Sequence, residues 1–243
     1  MDAAAVAERI SGWMADEVRR AGARGLVVGL SGGVDSATVA ALAVRAVGRE
    51  RVLGLVMPCH SDPADARFAR LAAEPLGIEV LTVDLSHAYD ALVAVMSPEG
   101  EGTEVRRLAL ANLKPRLRMA ALYFHAALRR YLVAGTGNRD ELYVGYFTKY
   151  GDGGVDLLPI GSLVKGQVRE LARHLGVPPE IVDRTPTAGL WPGQTDEGQM
   201  GIRYADLDRY LLTGEGSPEL KERVEAMHRE SEHKRQLPPV GPA

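Results

Sequence analysis

The sequence predicts an α/β protein with one five-stranded parallel sheet and helices on both of its faces. Apolar runs and helix-periodic segments alternate along the chain, which is the pattern of strand–helix–strand crossovers. The first apolar run turns through glycines straight into a helix. A chain of 243 residues, 46% hydrophobic and 25% charged, suits one well-buried core in a single domain over 1–243. Val6, Ile10, Trp13, Met14 and Val18 recur at helical spacing and predict a helix over 3–20. Strand 25–30 and helix 34–47 follow. Residues 51–57 read as a second strand, 64–75 as a helix, and 78–84 as a third strand. Helical segments are expected at 86–96 and 103–130, separated by the turn-rich 97–102. Residues 131–135 read as the fourth strand and 155–159 as a short fifth. Helices at 165–175, 203–213 and 217–231 complete the chain, and the long Pro/Gly-rich passage 177–200 is expected to be mobile.

Such a doubly wound, Rossmann-like sheet takes the order 3-2-1-4-5, with its binding crevice where strands 1 and 4 diverge. Composition narrows the setting. A net charge of −3 argues against non-specific nucleic-acid binding, and no apolar run approaches the length of a membrane helix. The N-terminal residues lack a signal-peptide pattern, and Cys59 alone allows neither an internal disulfide nor a cysteine metal cluster, so a cytoplasmic setting is expected. Of the 29 basic residues only five are lysines, so positions that keep Lys point to a need for a compact ammonium. Lys149, Lys165 and Lys234 all fall in segments singled out below.

Residues 29–36 read Gly-Leu-Ser-Gly-Gly-Val-Asp-Ser. Gly32 and Gly33 permit backbone conformations in which successive N–H groups face one concavity beside a helix N-terminus, a cradle for phosphate. The Walker pattern would place Lys before the last Ser. Here Asp35 sits in that loop, a carboxylate that repels phosphate unless a cation lies between them. After strand 4, Glu141 opens a helix at the same end of the sheet. By itself it reads as a first-turn glutamate complementing the helix dipole. Beside Asp35, on adjacent strands, it reads as the second carboxylate of a Mg²⁺ site on substrate phosphates.

The loop resembles the SGGxDS loop of the ATP pyrophosphatases, and four further segments make the resemblance specific to the NAD⁺ synthetase family. They are residues 145–159, Asn112-Leu-Lys-Pro-Arg-Leu-Arg-Met119, Pro186-Thr-Ala-Gly-Leu-Trp191 with Gly193-Gln-Thr-Asp-Glu197, and His233-Lys-Arg235. The resemblance implies ATP-dependent amidation of deamido-NAD⁺ through an acyl adenylate, releasing pyrophosphate and then AMP and NAD⁺. It implies ATP binding by Gly29, Leu30, Ser31, Gly32, Gly33, Val34, Asp35, Ser36, Thr136, Lys165 and Thr187. Asp35 and Glu141 would hold Mg²⁺, and Arg116, Lys149, Asp156, His233 and Lys234 would contact deamido-NAD⁺. It also implies a homodimer.

No enzyme nucleophile is required, in keeping with Cys59, which has no neighbouring base and reads as a buried or incidental thiol. Catalysis rests on Asp35, Lys165 and Asp152, with Asp152 in the turn Gly151-Asp-Gly-Gly154 binding ammonium or taking its proton. An Asx turn without a chemical role is the other reading. Likewise Lys165 can be a solvated helix-start lysine, Arg116 a surface salt bridge, and Tyr146 and Phe147 either a stack on the nicotinate ring or core. Glutamine-using relatives carry an additional amidase domain, for which 243 residues leave no space, so free ammonia is the expected nitrogen source. Two departures stand out: Gly137 lies where relatives often carry Asp, and 57–67, expected near adenine, is not matched. The alternatives are another SGGxDS-type pyrophosphatase adenylating a different substrate, and a non-catalytic nucleotide sensor.

Overall fold

Residues 1–96, 104–191 and 193–241 of the chain are described in a computed structural model. The turns expected at 97–102 and the first residue of the helix expected at 103 lie outside them. Helix α1 spans Ala3–Arg20 and is opened by Asp2, whose carboxylate accepts from the Ala5 N–H at 3.0 Å. Then follow β1 (Leu26–Gly29), α2 (Val34–Val47), β2 (Val52–Val56), α3 (Pro63–Ala73), β3 (Glu79–Thr82), α4 (Ser86–Met96), α5 (Glu104–Arg129), β4 (Leu132–Ala134) and α6 (Arg139–Val144). The remaining helices are α7 (Lys165–His174), α8 (Pro179–Val182), α9 (Asp196–Met200), α10 (Tyr204–Thr213) and α11 (Pro218–Glu230). The alternation read from the sequence is therefore present.

The strands pair in parallel in the order β3-β2-β1-β4. Val27 lies opposite both Leu53 and Val133. Because side chains alternate across a sheet, Leu26, Val28, Val52 and Ala134 pack on one side with residues of α1, α2 and α7, while Val27, Leu53 and Val133 pack on the other with Leu117, Leu122 and Ala126 of α5. Each fully buried aliphatic chain contributes about 1.5–3 kcal/mol, and both faces of β1 and β2 are filled this way. A third cluster, Val144, Met200, Ile202, Tyr204, Leu207 and Val224, joins α6, α9, α10 and α11.

The expected fifth strand is a correction: the sheet has four strands, and 155–159 makes a single parallel bridge, Ala134 to Leu157. The reason is chemical. The Asp156 carboxylate accepts from the Val133 N–H at 2.8 Å, taking a β4 donor that a ladder would use, and Pro159 has no N–H to offer beyond it. The 177–200 passage is also more ordered than a bare loop, for it contains α8 and α9. Among the described residues no helix is long and apolar enough to cross a membrane.

Candidate active site

At the end of β1 the chain turns through Leu30–Gly33 into α2. Gly32 has φ +80°, and a Cβ there would lie 2.7 Å from the Asp65 carbonyl oxygen and from the Phe68 Cβ, so both the conformation and the contact exclude larger residues. Serine hydroxyls stitch the loop: Ser36 Oγ donates to the Gly33 carbonyl at 3.0 Å and accepts from the Ser31 N–H at 3.3 Å. Arg184, beyond α8, holds the outside of the turn by donating to the Gly32 carbonyl at 3.2 Å and to Asp65.

Across the β1–β4 boundary, Asn138 caps α6. Its side-chain oxygen accepts from the Glu141 N–H at 3.0 Å, the Glu141 carboxylate accepts from the Asn138 N–H at 3.1 Å, and the Asn138 amide donates to Asp35 Oδ1 at 3.2 Å. One residue thus fixes both carboxylates. Lys165, 2% exposed at the start of α7, lies between them, its ammonium 2.5 Å from Asp35 Oδ2 and 3.7 Å from Glu141 Oε1. The solvated helix-start reading of Lys165 is excluded by this burial. Burial raises the Glu141 pKa despite the opposing Lys165 charge. Burial pulls Lys165 the other way, and the Asp35 and Glu141 charges more than offset it, leaving its pKa raised.

The first turn of α7 is capped from outside, because its N-cap residue is Val164. Asp140 of α6 accepts from the Lys165 N–H and Asp208 of α10 from the Gly166 N–H, each at 2.7 Å. A Cβ on Gly166 would lie 2.7 Å from Asp208 Oδ2, which explains the glycine. The second oxygens of the two acids, Asp140 Oδ1 and Asp208 Oδ1, are buried without a hydrogen-bond donor. Burial and the neighbouring Asp208 raise the Asp140 pKa, so its neutral form is favoured in the fold.

These groups border one cleft of about 730 Å³, lined by Gly29, Leu30, Ser31, Gly33, Val34, Asp35 and Ser36 with Thr136, Glu141, Asp152, Lys165, Thr187 and Lys234. Gly32 supports it from behind. Tyr146 and Phe147 also line it, so neither is simply core. Asp152 accepts from the Thr148 N–H, four residues earlier, at 2.9 Å, which is not the contact of an Asx turn, whose donor lies two residues later. Thr187 donates to the Gln194 carbonyl at 2.7 Å, and Lys114 donates to the Leu190 carbonyl at 2.9 Å, which fixes residues 185–190 along the cleft wall.

Of the remaining positions, Arg116, Lys149, Asp156 and His233 do not line this cleft. Arg116 is exposed and donates to the Lys149 carbonyl at 3.4 Å, with no carboxylate paired to it among the described residues. Lys149 donates to the His233 carbonyl, and Asp156 accepts from Tyr123 OH at 3.0 Å as well as from β4. Lys234 reaches the cleft edge but donates to the Gly145 and Phe147 carbonyls at 2.8 and 2.9 Å. Cys59 is fully buried, and burial raises its thiol pKa.

Sequence reasoning missed Asp196, which is 4% exposed and accepts from Tyr204 OH and Tyr146 OH, each at 3.2 Å, while Tyr204 OH also reaches Glu141 at 3.4 Å. Its signal was present in Gly193-Gln-Thr-Asp-Glu197, but nothing local said that the segment returns to Glu141. The carboxylates of Asp35 and Glu141 already share one cation and keep part of their surface toward the cleft. Among the described residues no three His, Cys, Asp or Glu side chains are grouped to cage a metal. Two hard oxygen donors of this kind fit Mg²⁺ that completes its shell with substrate phosphate and water.

A glycine turn at a helix N-terminus, two carboxylates at the switch point of a parallel sheet and a buried lysine between them mark a nucleotide-binding α/β protein. The chain belongs to the NAD synthase family, whose model matches residues 6–238. It is 54% identical to the NH₃-dependent NAD⁺ synthetase of Carboxydothermus hydrogenoformans over 96% of this chain and 95% of that one. Among solved structures, NMN synthetase from Francisella tularensis superposes with a TM-score of 0.93 at 38% identity, covering 99% of each chain. NH₃-dependent NAD synthetase from Campylobacter jejuni, in complex with the nitrate ion, superposes with a TM-score of 0.80 at 30% identity, covering 100% of each.

Proposed function

We propose that this chain is an ammonia-dependent NAD⁺ synthetase, a ligase that converts deamido-NAD⁺, ATP and ammonia into NAD⁺, AMP and pyrophosphate. The observation that carries the reading is the family match over 6–238, coinciding with a cleft in which the phosphate loop, Asp35, Glu141 and Lys165 converge. A carboxylate is a poor acyl donor, so it is first activated. Its oxygen bonds to the α-phosphorus of ATP, the bond to the bridging oxygen breaks, and pyrophosphate leaves. Ammonia then bonds to the acyl carbon, the acyl–phosphate bond breaks, and AMP carries the electron pair away.

The residues' part is positioning and charge. The 31–36 loop presents backbone N–H groups to the phosphates, and Lys165, already cationic, faces the negative charge that builds on leaving pyrophosphate. Thr136 and Thr187 border the nucleotide. Asp35 and Glu141 would hold Mg²⁺, which supplies charge neutralisation on the phosphates when bound. Asp152 receives ammonium or its proton at the cleft wall. Lys149, His233 and Lys234, woven onto the 145–152 loop, shape the deamido-NAD⁺ side, with Arg116 and Asp156 at its margin. A single-domain cytoplasmic homodimer goes with this reading, supported by exposed Phe124 and Leu128 on α5.

A second reading takes the same amidation to a mononucleotide, nicotinic acid mononucleotide, giving NMN. The TM-score of 0.93 to the Francisella tularensis protein favours it. One experiment separates the two: the purified chain with ATP, Mg²⁺ and NH₄⁺ is offered each acid, and kcat/KM is compared. Higher kcat/KM for deamido-NAD⁺ supports the first reading, and higher kcat/KM for the mononucleotide replaces it.

A further inference from the structure

The geometry points to Arg118 as a binding residue for an anionic oxygen of the reacting pair, either the α-phosphate of ATP or the carboxylate it activates. This rests on the proposed amidation. Arg116 and Arg118 are two positions apart on α5, so at 3.6 residues per turn they leave the helix in nearly opposite directions. Arg116 faces outward. Arg118 faces the cleft and lines it beside the ends of β1 and β2. Its Nε donates to the Met57 carbonyl and its Nη2 to Ser61 Oγ, each at 3.1 Å.

Both partners are neutral. Among the described residues no carboxylate comes within ion-pair distance of Arg118, whereas Lys165 and Arg184, which line the same cleft, are paired with Asp35 and Asp65. Burial bears on the guanidinium most, and Cys59, Asp152 and Asp65 are near enough to act on its charge without forming an ion pair with it. Withdrawing a charge from water costs several kcal/mol unless an opposite charge meets it. Among the described residues the Nη1 end has no acceptor, yet it is not sealed inside the fold. A guanidinium held at two corners, with its third corner open to the cleft, presents a planar fork to phosphate or carboxylate oxygens. The reaction brings two such anions into contact, and a fixed cation beside them lowers their repulsion. The brackets to Met57 and Ser61 also locate this charge in the 57–67 region, where the sequence offered no recognisable contact.

Calorimetry on wild type, Arg118→Gln and Arg118→Lys tests the assignment with two ligand pairs, each with and without one anionic group. AMP against adenosine reads the phosphate, and deamido-NAD⁺ against NAD⁺ reads the carboxylate. Arg118→Gln is expected to weaken the anionic member of one pair by about tenfold to a hundredfold and its neutral counterpart by less than about twofold, with Arg118→Lys in between. The pair that responds identifies the oxygen. If Arg118→Gln weakens charged and neutral ligands alike and lowers the thermal midpoint, Arg118 only holds the Met57–Ser61 turn and the assignment is overturned. It is equally overturned if wild type distinguishes neither pair. The proposed amidation is judged separately, by NAD⁺ or NMN formation in the wild type.

Discussion

The ammonium of Lys165 lies 2.5 Å from Asp35 Oδ2, joining the first turns of two helices whose residues are 130 positions apart in the chain. The pair closes the crevice between β1 and β4 and puts a cation where the nucleotide phosphates would arrive. Glu141, 3.7 Å from the same ammonium, is the second carboxylate of the group, so loss of Asp35 leaves Lys165 with only this more distant partner.

Asp35→Asn should therefore lower both turnover and stability. Loss of one member of a buried pair costs about 3–5 kcal/mol, and the remaining surface of Asp35 toward the cleft brings the expected loss to the lower end. Glu141→Gln should cost less stability, because burial already raises the pKa of this carboxyl, while turnover at saturating substrates falls by at least about a hundredfold in both. Thermal unfolding and product formation across a Mg²⁺ titration check this; near-normal rates at low Mg²⁺ would exclude a shared metal site.

Asp140 makes a pH prediction. Burial and Asp208 favour its neutral form, so its contribution to stability is complete below the unfolded carboxylate pKa of about 4. The contribution declines as pH rises and is gone above the raised folded value. Asp140→Asn keeps an acceptor for the Lys165 N–H and turns an amide toward Asp208 Oδ1. Its thermal midpoint should fall less than that of wild type between pH 5 and pH 8, roughly the window set by these values. Parallel curves would mean that the Asp140 carboxyl is not held neutral in the fold.

Gly166→Ala places a methyl 2.7 Å from Asp208 Oδ2 and should destabilise by about 1–3 kcal/mol while displacing Lys165. Removing the obstructing carboxylate in Gly166→Ala/Asp208→Ala should recover part of that loss, so the double variant is less destabilised than the sum of the singles. Strict additivity in urea unfolding would show that the contact does not shape α7.

Asp152→Asn should raise the ammonia requirement and slow amide formation, yet still exchange labelled pyrophosphate into ATP in the presence of the acid substrate. Adenylation consumes no ammonia, so this role of Asp152 is not needed for it. Lys234→Ala, in contrast, frees the Gly145 and Phe147 carbonyls and so loosens the whole 145–152 loop, lowering both half-reactions. Loss of exchange in Asp152→Asn as complete as loss of synthesis would assign Asp152 to holding the loop.

The alternation of strands and helices, the glycine turn into α2 and the placing of Asp35 and Glu141 at one end of the sheet were legible in the sequence. These follow from local rules: side-chain periodicity, glycine conformations and capping residues act over a few positions, and parallel topology then brings the strand ends together. Long-range packing settled the rest. It decided that Asp156 spends its carboxylate on β4 and the sheet stops at four strands, and that Asp196 returns to Glu141 through the Tyr204 hydroxyl. It also decided that α5 turns Arg118, rather than Arg116, into the cleft. A side chain's partner depends on which face its helix buries and on what arrives from distant segments, and periodicity leaves that open for a helix such as α5, partly covered on several sides.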